Sequence, residues 1–244
     1  MRDYLRARLR QGTATLRFPD PALRLPERFR GRPMPREMGA SVDLGRCLFS
    51  PEESAAAGGE LEFTSDPRMA ATTRRDLESN SSAAPRVEAL AGRMRSLFGR
   101  SLRLRSVSAG SCNGCEAELV ALSNVVFDLG RFGVQFVASP RHADGLLVTG
   151  AINVNMREAL MTTYEAVPEP KLVIAVGACA IAGGPLRGSP EVADGVTELL
   201  PVDLYVPGCP PHPITLLDGL LRMLGRIGEG EAEGRRGARK SGHS

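Results

Sequence analysis

The chain has 244 residues and a formal net charge of only +3, too small an excess to argue for nucleic acid as a partner. Its length allows one sizeable domain plus an extension. No apolar run reaches the roughly 18–20 residues that span a bilayer, and no apolar segment follows the basic opening residues as in a signal peptide. These features predict a soluble or peripheral protein of the cytoplasm. Five cysteines in a reducing compartment point to metal or redox use rather than a disulfide framework.

Residues 1–99 read as an irregular arm rich in arginine, proline and small residues. Leu16 to Pro35 holds five prolines and little periodicity, which predicts extended chain laid over a surface. Arg46–Phe49 and Glu60–Thr64 are candidate ordered segments. Val87, Leu90, Met94 and Leu97 have the spacing of an amphipathic helix leading into the core. From residue 100 to 227 the pattern alternates between strand and helix. Leu102–Val107, Gly133–Val137, Gly145–Thr149, Lys171–Val176 and Val202–Val206 read as strands, several of them continuously apolar as buried parallel strands are. Ala117–Leu129, Asn155–Glu165 and Ile214–Ile227 read as helices. The order predicts an α/β fold with a mostly parallel sheet and flanking helices. Residues 228–244 are Gly-, Glu- and Arg-rich and predict a disordered tail.

The chemistry concentrates in Ser111-Cys112-Asn113-Gly114-Cys115-Glu116, between the first of these strands and its helix. Cys179 follows a second strand and Cys209 a third. In a parallel sheet the carboxyl ends of the strands share one edge, so three loops deliver four thiols to one rim. Gly114, Gly177 and Gly208 flank them and permit tight turns. Pro210 and Pro211 stiffen the last loop. Four thiolates suit a tetrahedral metal or a [4Fe–4S] cluster. A dithiol of Cys112 and Cys115 and a structural zinc site also satisfy parts of the pattern. Paired zinc knuckles usually lie close together, whereas here the third and fourth cysteines stand alone in separate loops. The histidines are weaker signals. His142 precedes a strand, His243 lies in the tail, and His212 sits close enough to Cys209 to tune a bound group.

The stretches SCNGCEAEL, RHADGLLVTGAIN, EPKLVIAVGACAIAGG and LPVDLYVPGCPPHP resemble the small electron-transfer subunit shared by complex I (its 20 kDa protein) and the energy-converting [NiFe] hydrogenases. Within that family, they are most similar to the small subunit of group 4, formate-hydrogenlyase-type enzymes. The resemblance spans roughly residues 100–227. It implies a flavodoxin-like α/β domain with one [4Fe–4S] cluster on Cys112, Cys115, Cys179 and Cys209. It further implies three kinds of partner: a large [NiFe]-hydrogenase-type subunit akin to the complex I 49 kDa protein, a ferredoxin-like iron–sulfur subunit, and integral membrane subunits. The expected location is peripheral, on the cytoplasmic face of the inner membrane. The complex I branch carries two adjacent cysteines at the first position, whereas this chain has Cys-x-x-Cys, the hydrogenase form. The NADH–quinone oxidoreductase branch, which passes electrons to quinone, stays open as the alternative. Glu118 matches an acidic residue of the family, and a proton path, a subunit contact and an ordinary helix-start carboxylate all stay open for it; Glu116 has the same three readings, with the ordinary carboxylate ahead.

The arm carries a second, broken resemblance. QGTAT through RGRP, then VDLGRCLF and ELEFTSD, resemble the two-cluster ferredoxin subunit of the same complexes. Only Cys47 survives there, with Ser50, Glu53 and Ala57 at the remaining ligand spacings. The implied role is docking by a ferredoxin-like module that has lost its clusters.

Overall fold

The computed structural model describes residues 2–20, 23–35, 41–50, 61–79, 84–90, 92 and 101–228. The expected tail with His243, and Glu53 and Ala57, lie outside the described residues. So do residue 91 and residues 93–97 of the helix expected over 87–97.

The arm begins with helix α1, Arg2–Gln11, which an Arg-rich sequence without apolar periodicity did not announce. Strands β1 (Pro33–Pro35) and β3 (Leu61–Phe63) form one antiparallel pair, and β2 (Val42–Asp43) and β4 (Glu78–Ser79) another. The β3 pairing accounts for the order expected around Leu61. Residues 87–90 are irregular rather than helical, and Leu90 donates its N–H to Met223 O at 2.8 Å.

The core sheet contains β5 (Leu102–Ser108), β6 (Val134–Phe136), β7 (Gly145–Thr149), β8 (Leu172–Val176) and β9 (Leu204–Val206). All pairings are parallel, in the order β6-β5-β7-β8-β9. This is the doubly wound order with a switch point between β5 and β7. Strands β7 and β8 are buried along their whole length, as their unbroken apolar runs require.

Alternate side chains feed two apolar layers. Leu147, Ile174, Val176 and Val206 pack with Leu119 and Leu122 of helix α2 (Gly114–Leu122) and with Leu216, Leu217 and Leu220 of helix α5 (Pro213–Met223). Leu146, Val148, Val173 and Ala175 face the opposite layer. It holds Leu160 of helix α3 (Val154–Glu165), Ile181 of helix α4 (Gly177–Ala182), and Leu44, Phe49, Met69 and Leu77 from the arm. Ala71 exchanges both backbone hydrogen bonds with Tyr205, so the arm runs antiparallel along the outer side of β9.

Two helices are shorter than their apolar spacing predicts. Helix α2 stops at Leu122 because the Asn124 side chain accepts the N–H groups of Val126 and Phe127, an alternative to the helical ladder. Asp128 is then left-handed. Helix α5 ends at Met223, two residues before Gly225 at φ +66°. No described helix is long and apolar enough to cross a membrane.

Candidate metal centre

The register of the sheet sets the site. Ser108 pairs with Thr149, Thr149 with Val176, and Val176 with Val206, so four strand ends stand in one row. Cys112 lies four residues beyond the first of these ends, and Cys179 and Cys209 each lie three beyond theirs. The thiols therefore share one edge, as their positions in the sequence predict.

The first loop turns at Gly110 and at Asn113, whose φ of +69° is left-handed. Ser111 Oγ accepts the Asn113 N–H at 3.1 Å and tightens the turn. Cys112 is exposed, while Cys115 is half-buried in the first turn of α2. In the second loop β8 passes directly into α4, whose small residues carry no periodicity a sequence reading could detect. Cys179 is its third residue. In the third loop Gly208 O accepts the Ala178 N–H at 2.9 Å, tying the loops of Cys179 and Cys209 together.

Two glycines leave space for sulfur. A Cβ at Gly177 would lie 2.6 Å from Cys115 Sγ, and one at Gly184 would lie 2.5 Å from Cys179 Sγ. Both glycines have positive φ, +87° and +56°. The backbone approaches these thiols as closely as a residue without a side chain allows.

The thiols act on one another. Burial first, then the charge of Glu116, then Cys179, Cys209 and Cys112 push Cys115 up to about 12. Burial, then Cys209, Cys112 and Glu116, push Cys179 up as well. Cys115 and Cys179 therefore resist ionising, and a bound cation that accepts them as thiolates offsets that resistance. The all-sulfur donor set suits soft metal and iron–sulfur chemistry. Among the described residues no three His, Cys, Asp or Glu side chains converge as the ligands of a single metal ion.

Glu116 holds the first loop to the sheet. Its Oε1 accepts from Ser111 Oγ at 2.7 Å and from Thr149 Oγ1, a fully buried hydroxyl at the end of β7. Ser108 Oγ lies 3.2 Å from Ser111 Oγ. Burial raises the affinity of Glu116 for a proton, but the hydrogen bonds from Thr149, Ser111 and Ser108 outweigh it and hold the carboxyl below its usual range. Glu116 Oε2 is buried with no hydrogen-bond partner.

Glu118 points elsewhere. It is half-buried, raised by burial, and lines a groove with Arg28, Phe29, Cys209, Pro210 and His212. His212 Nδ1 accepts the Ile214 N–H at 3.1 Å and caps α5. The rings of Phe29 and Phe127 meet it edge-on at 5.2 and 5.9 Å, and burial holds the imidazole below its usual value. His142 is exposed just before β7 begins, at the opposite end of the sheet from the thiols. Thr149 and Gly184 escaped the sequence reading. A threonine closing the apolar strand Gly145–Thr149 and a second glycine after Gly183 were the available signals.

Residues 112–223 match the family model described as "NADH ubiquinone oxidoreductase, 20 Kd subunit". The probable membrane-bound hydrogenase subunit mbhJ of Pyrococcus furiosus is 41% identical over 149 residues, covering 61% of this chain and 89% of that protein. Formate hydrogenlyase subunit 7 of Escherichia coli is 43% identical over 128 residues, 52% of this chain and 50% of the relative. An NADH-quinone oxidoreductase subunit of Geotalea daltonii is 46% identical over 115 residues, 47% of this chain and 67% of the relative. All four cysteines of the rim fall inside the matched range, and the chain belongs to the family of the NADH ubiquinone oxidoreductase 20 Kd subunit.

Proposed function

We propose that this chain is the electron-transfer small subunit of a membrane-bound [NiFe] hydrogenase of the formate hydrogenlyase type. It exchanges electrons with a large catalytic subunit, receives or delivers them through a ferredoxin-like subunit, and sits with integral membrane subunits on the cytoplasmic face. The observation that carries this proposal is the register that gathers Cys112, Cys115, Cys179 and Cys209 on one sheet edge, in a chain whose relatives include hydrogenase and formate hydrogenlyase subunits.

The four cysteines would hold one [4Fe–4S] cluster, which when bound supplies one-electron transfer at a potential set by charge, burial and hydrogen bonding. The chain's own residues do the rest. Gly177 and Gly184 keep side chains away from two of the sulfurs. The Gly208–Ala178 hydrogen bond fixes two of the loops relative to one another. Cys112 and Cys209, the exposed members, leave the rim open to a partner. The arm, with Cys47 buried and no companion thiol near it in sequence, serves in docking rather than in carrying a cluster.

The alternative of a Cys112/Cys115 dithiol oxidoreductase gives Cys179 and Cys209 no role, although the strand register brings their loops to the same edge. The quinone-linked reading rests on the 46% identity to an NADH-quinone oxidoreductase subunit. The Cys-x-x-Cys spacing favours the hydrogenase branch, and H₂ evolution or quinone reduction by the purified complex separates the two.

Anaerobic purification of the full chain or its complex, with iron and sulfide analysis and EPR after reduction, tests the cluster. Four irons and four sulfides per chain are expected. Zinc, or absence of sulfide, would sink the proposal. Each of Cys112→Ser, Cys115→Ser, Cys179→Ser and Cys209→Ser should damage the signal, and Cys47→Ser should leave it intact.

A further inference from the structure

The carboxylate of Glu116 is anchored on both sides of the switch point. Ser111 belongs to the loop after β5 and Thr149 ends β7, and both hydroxyls donate to the same oxygen, Oε1. An ordinary carboxylate at a helix start faces water. This one has a buried second oxygen without a partner. A buried acceptor left unpaired is costly, so some requirement of the site maintains it. Glu116 directly follows Cys115, and Ser111, which holds its carboxylate, directly precedes Cys112. The carboxylate is therefore held at the loop that carries two of the four thiols.

We propose that Glu116 is a positioning residue that sets the reduction potential of the group held by the four cysteines, by fixing a carboxylate at the loop of Cys112 and Cys115 on a clamp made by Ser111 and Thr149. The proposal rests on the cluster assignment above. Adding an electron to a cluster on four thiolates adds negative charge beside an existing one. A fixed carboxylate disfavours the reduced form and lowers the potential. The clamp matters because the effect depends on separation, and a free glutamate on a helix start would swing into water.

The full chain, loaded with iron and sulfide under anaerobic conditions, is titrated with dithionite and followed by EPR. Glu116→Gln keeps the shape and the acceptor Oε1 while removing the charge. It should bind the same iron and sulfide as the unsubstituted chain and show a more positive midpoint. Glu158→Gln, on the exposed face of α3, removes a remote charge and should leave the midpoint unchanged. Equal midpoints for Glu116→Gln and the unsubstituted chain overturn the proposal while the cluster assignment stands. An unsubstituted chain that takes up no sulfide removes the cluster assignment instead, and the proposal with it. Should Glu116→Gln hold no iron, Glu116→Asp and Glu116→Ser make the same comparison with shorter side chains. A lower midpoint for Asp than for Ser supports the proposal. Equal midpoints, or iron lost from both, reduce Glu116 to a purely structural clamp.

Discussion

Gly177 and Gly184 stand where a methyl group would meet sulfur. Alanine at Gly177 must both adopt a left-handed backbone, at about 1–2 kcal/mol, and displace Cys115 Sγ. Gly177→Ala is therefore expected to remain folded by circular dichroism yet lose most of its bound iron. Full retention of iron would contradict the close approach. The unequal exposure of the thiols predicts an order of alkylation in the metal-free chain. Cys112 and Cys209 should react with iodoacetamide first, and Cys115 and Cys179, raised by burial and by their neighbours, later. Cys47, 6% exposed, should react last, and peptide mass spectrometry over time reads the order. The cysteines could be picked out from sequence because a readable strand runs into each of the three loops that carry them. The Glu116–Thr149 contact could not, because its partners are 33 residues apart and meet only through the β5–β7 register.

At the scale of elements, the apolar runs at 145–149 and 171–176 were readable as strands because burial on both faces permits little else. Helix α4 was not, since GACAIA has no polar face to set a period, and neither was the early stop of α2, made by one asparagine side chain. Charged pairs inside the fold were equally hidden. Asp218 and Arg222 of α5 pair at 2.9 Å with side chains only 5% and 10% exposed. Burial raises Asp218 despite Arg222, so the pair is maintained against a desolvation cost. Asp218→Asn should destabilise, by up to about 3–5 kcal/mol, because it leaves the Arg222 charge without its anion and with only the Gly228 carbonyl as a remaining partner, and Asp218→Leu with Arg222→Met should recover much of that loss in urea unfolding.

Asp66 of the arm behaves differently. Burial raises it, but the hydrogen bonds and charge of Arg68 and then Arg32 bring it below its usual value. A carboxyl with a depressed folded pKa stabilises above its unfolded value, about 3.9, and that contribution disappears as pH falls through the folded value. The difference in Tm between the unsubstituted chain and Asp66→Asn should therefore be constant near neutrality and shrink below about pH 4.

For the whole molecule, the arm and the sheet share one apolar layer, with Leu44, Phe49, Met69 and Leu77 packed against Val148 and Val173. Composition alone separated them at residue 100, because an arm rich in proline and arginine shows no period of its own. Its burial comes from complementarity to a surface defined far along the chain. The family match, 112–223, lies entirely within the sheet domain, and the arm lies outside it.

The exchange of hydrogen bonds between Ala71 and Tyr205 has a consequence for solubility. Strand β9 is the last of its sheet, and an uncovered last strand is a template for another molecule to add to. The arm occupies that position, so each chain terminates its own sheet and offers no edge for chain-to-chain growth there. A fragment starting at residue 101 would retain every thiol of the rim and the whole matched region, yet expose the backbone of Tyr205. It should self-associate in light scattering at concentrations where the full chain does not.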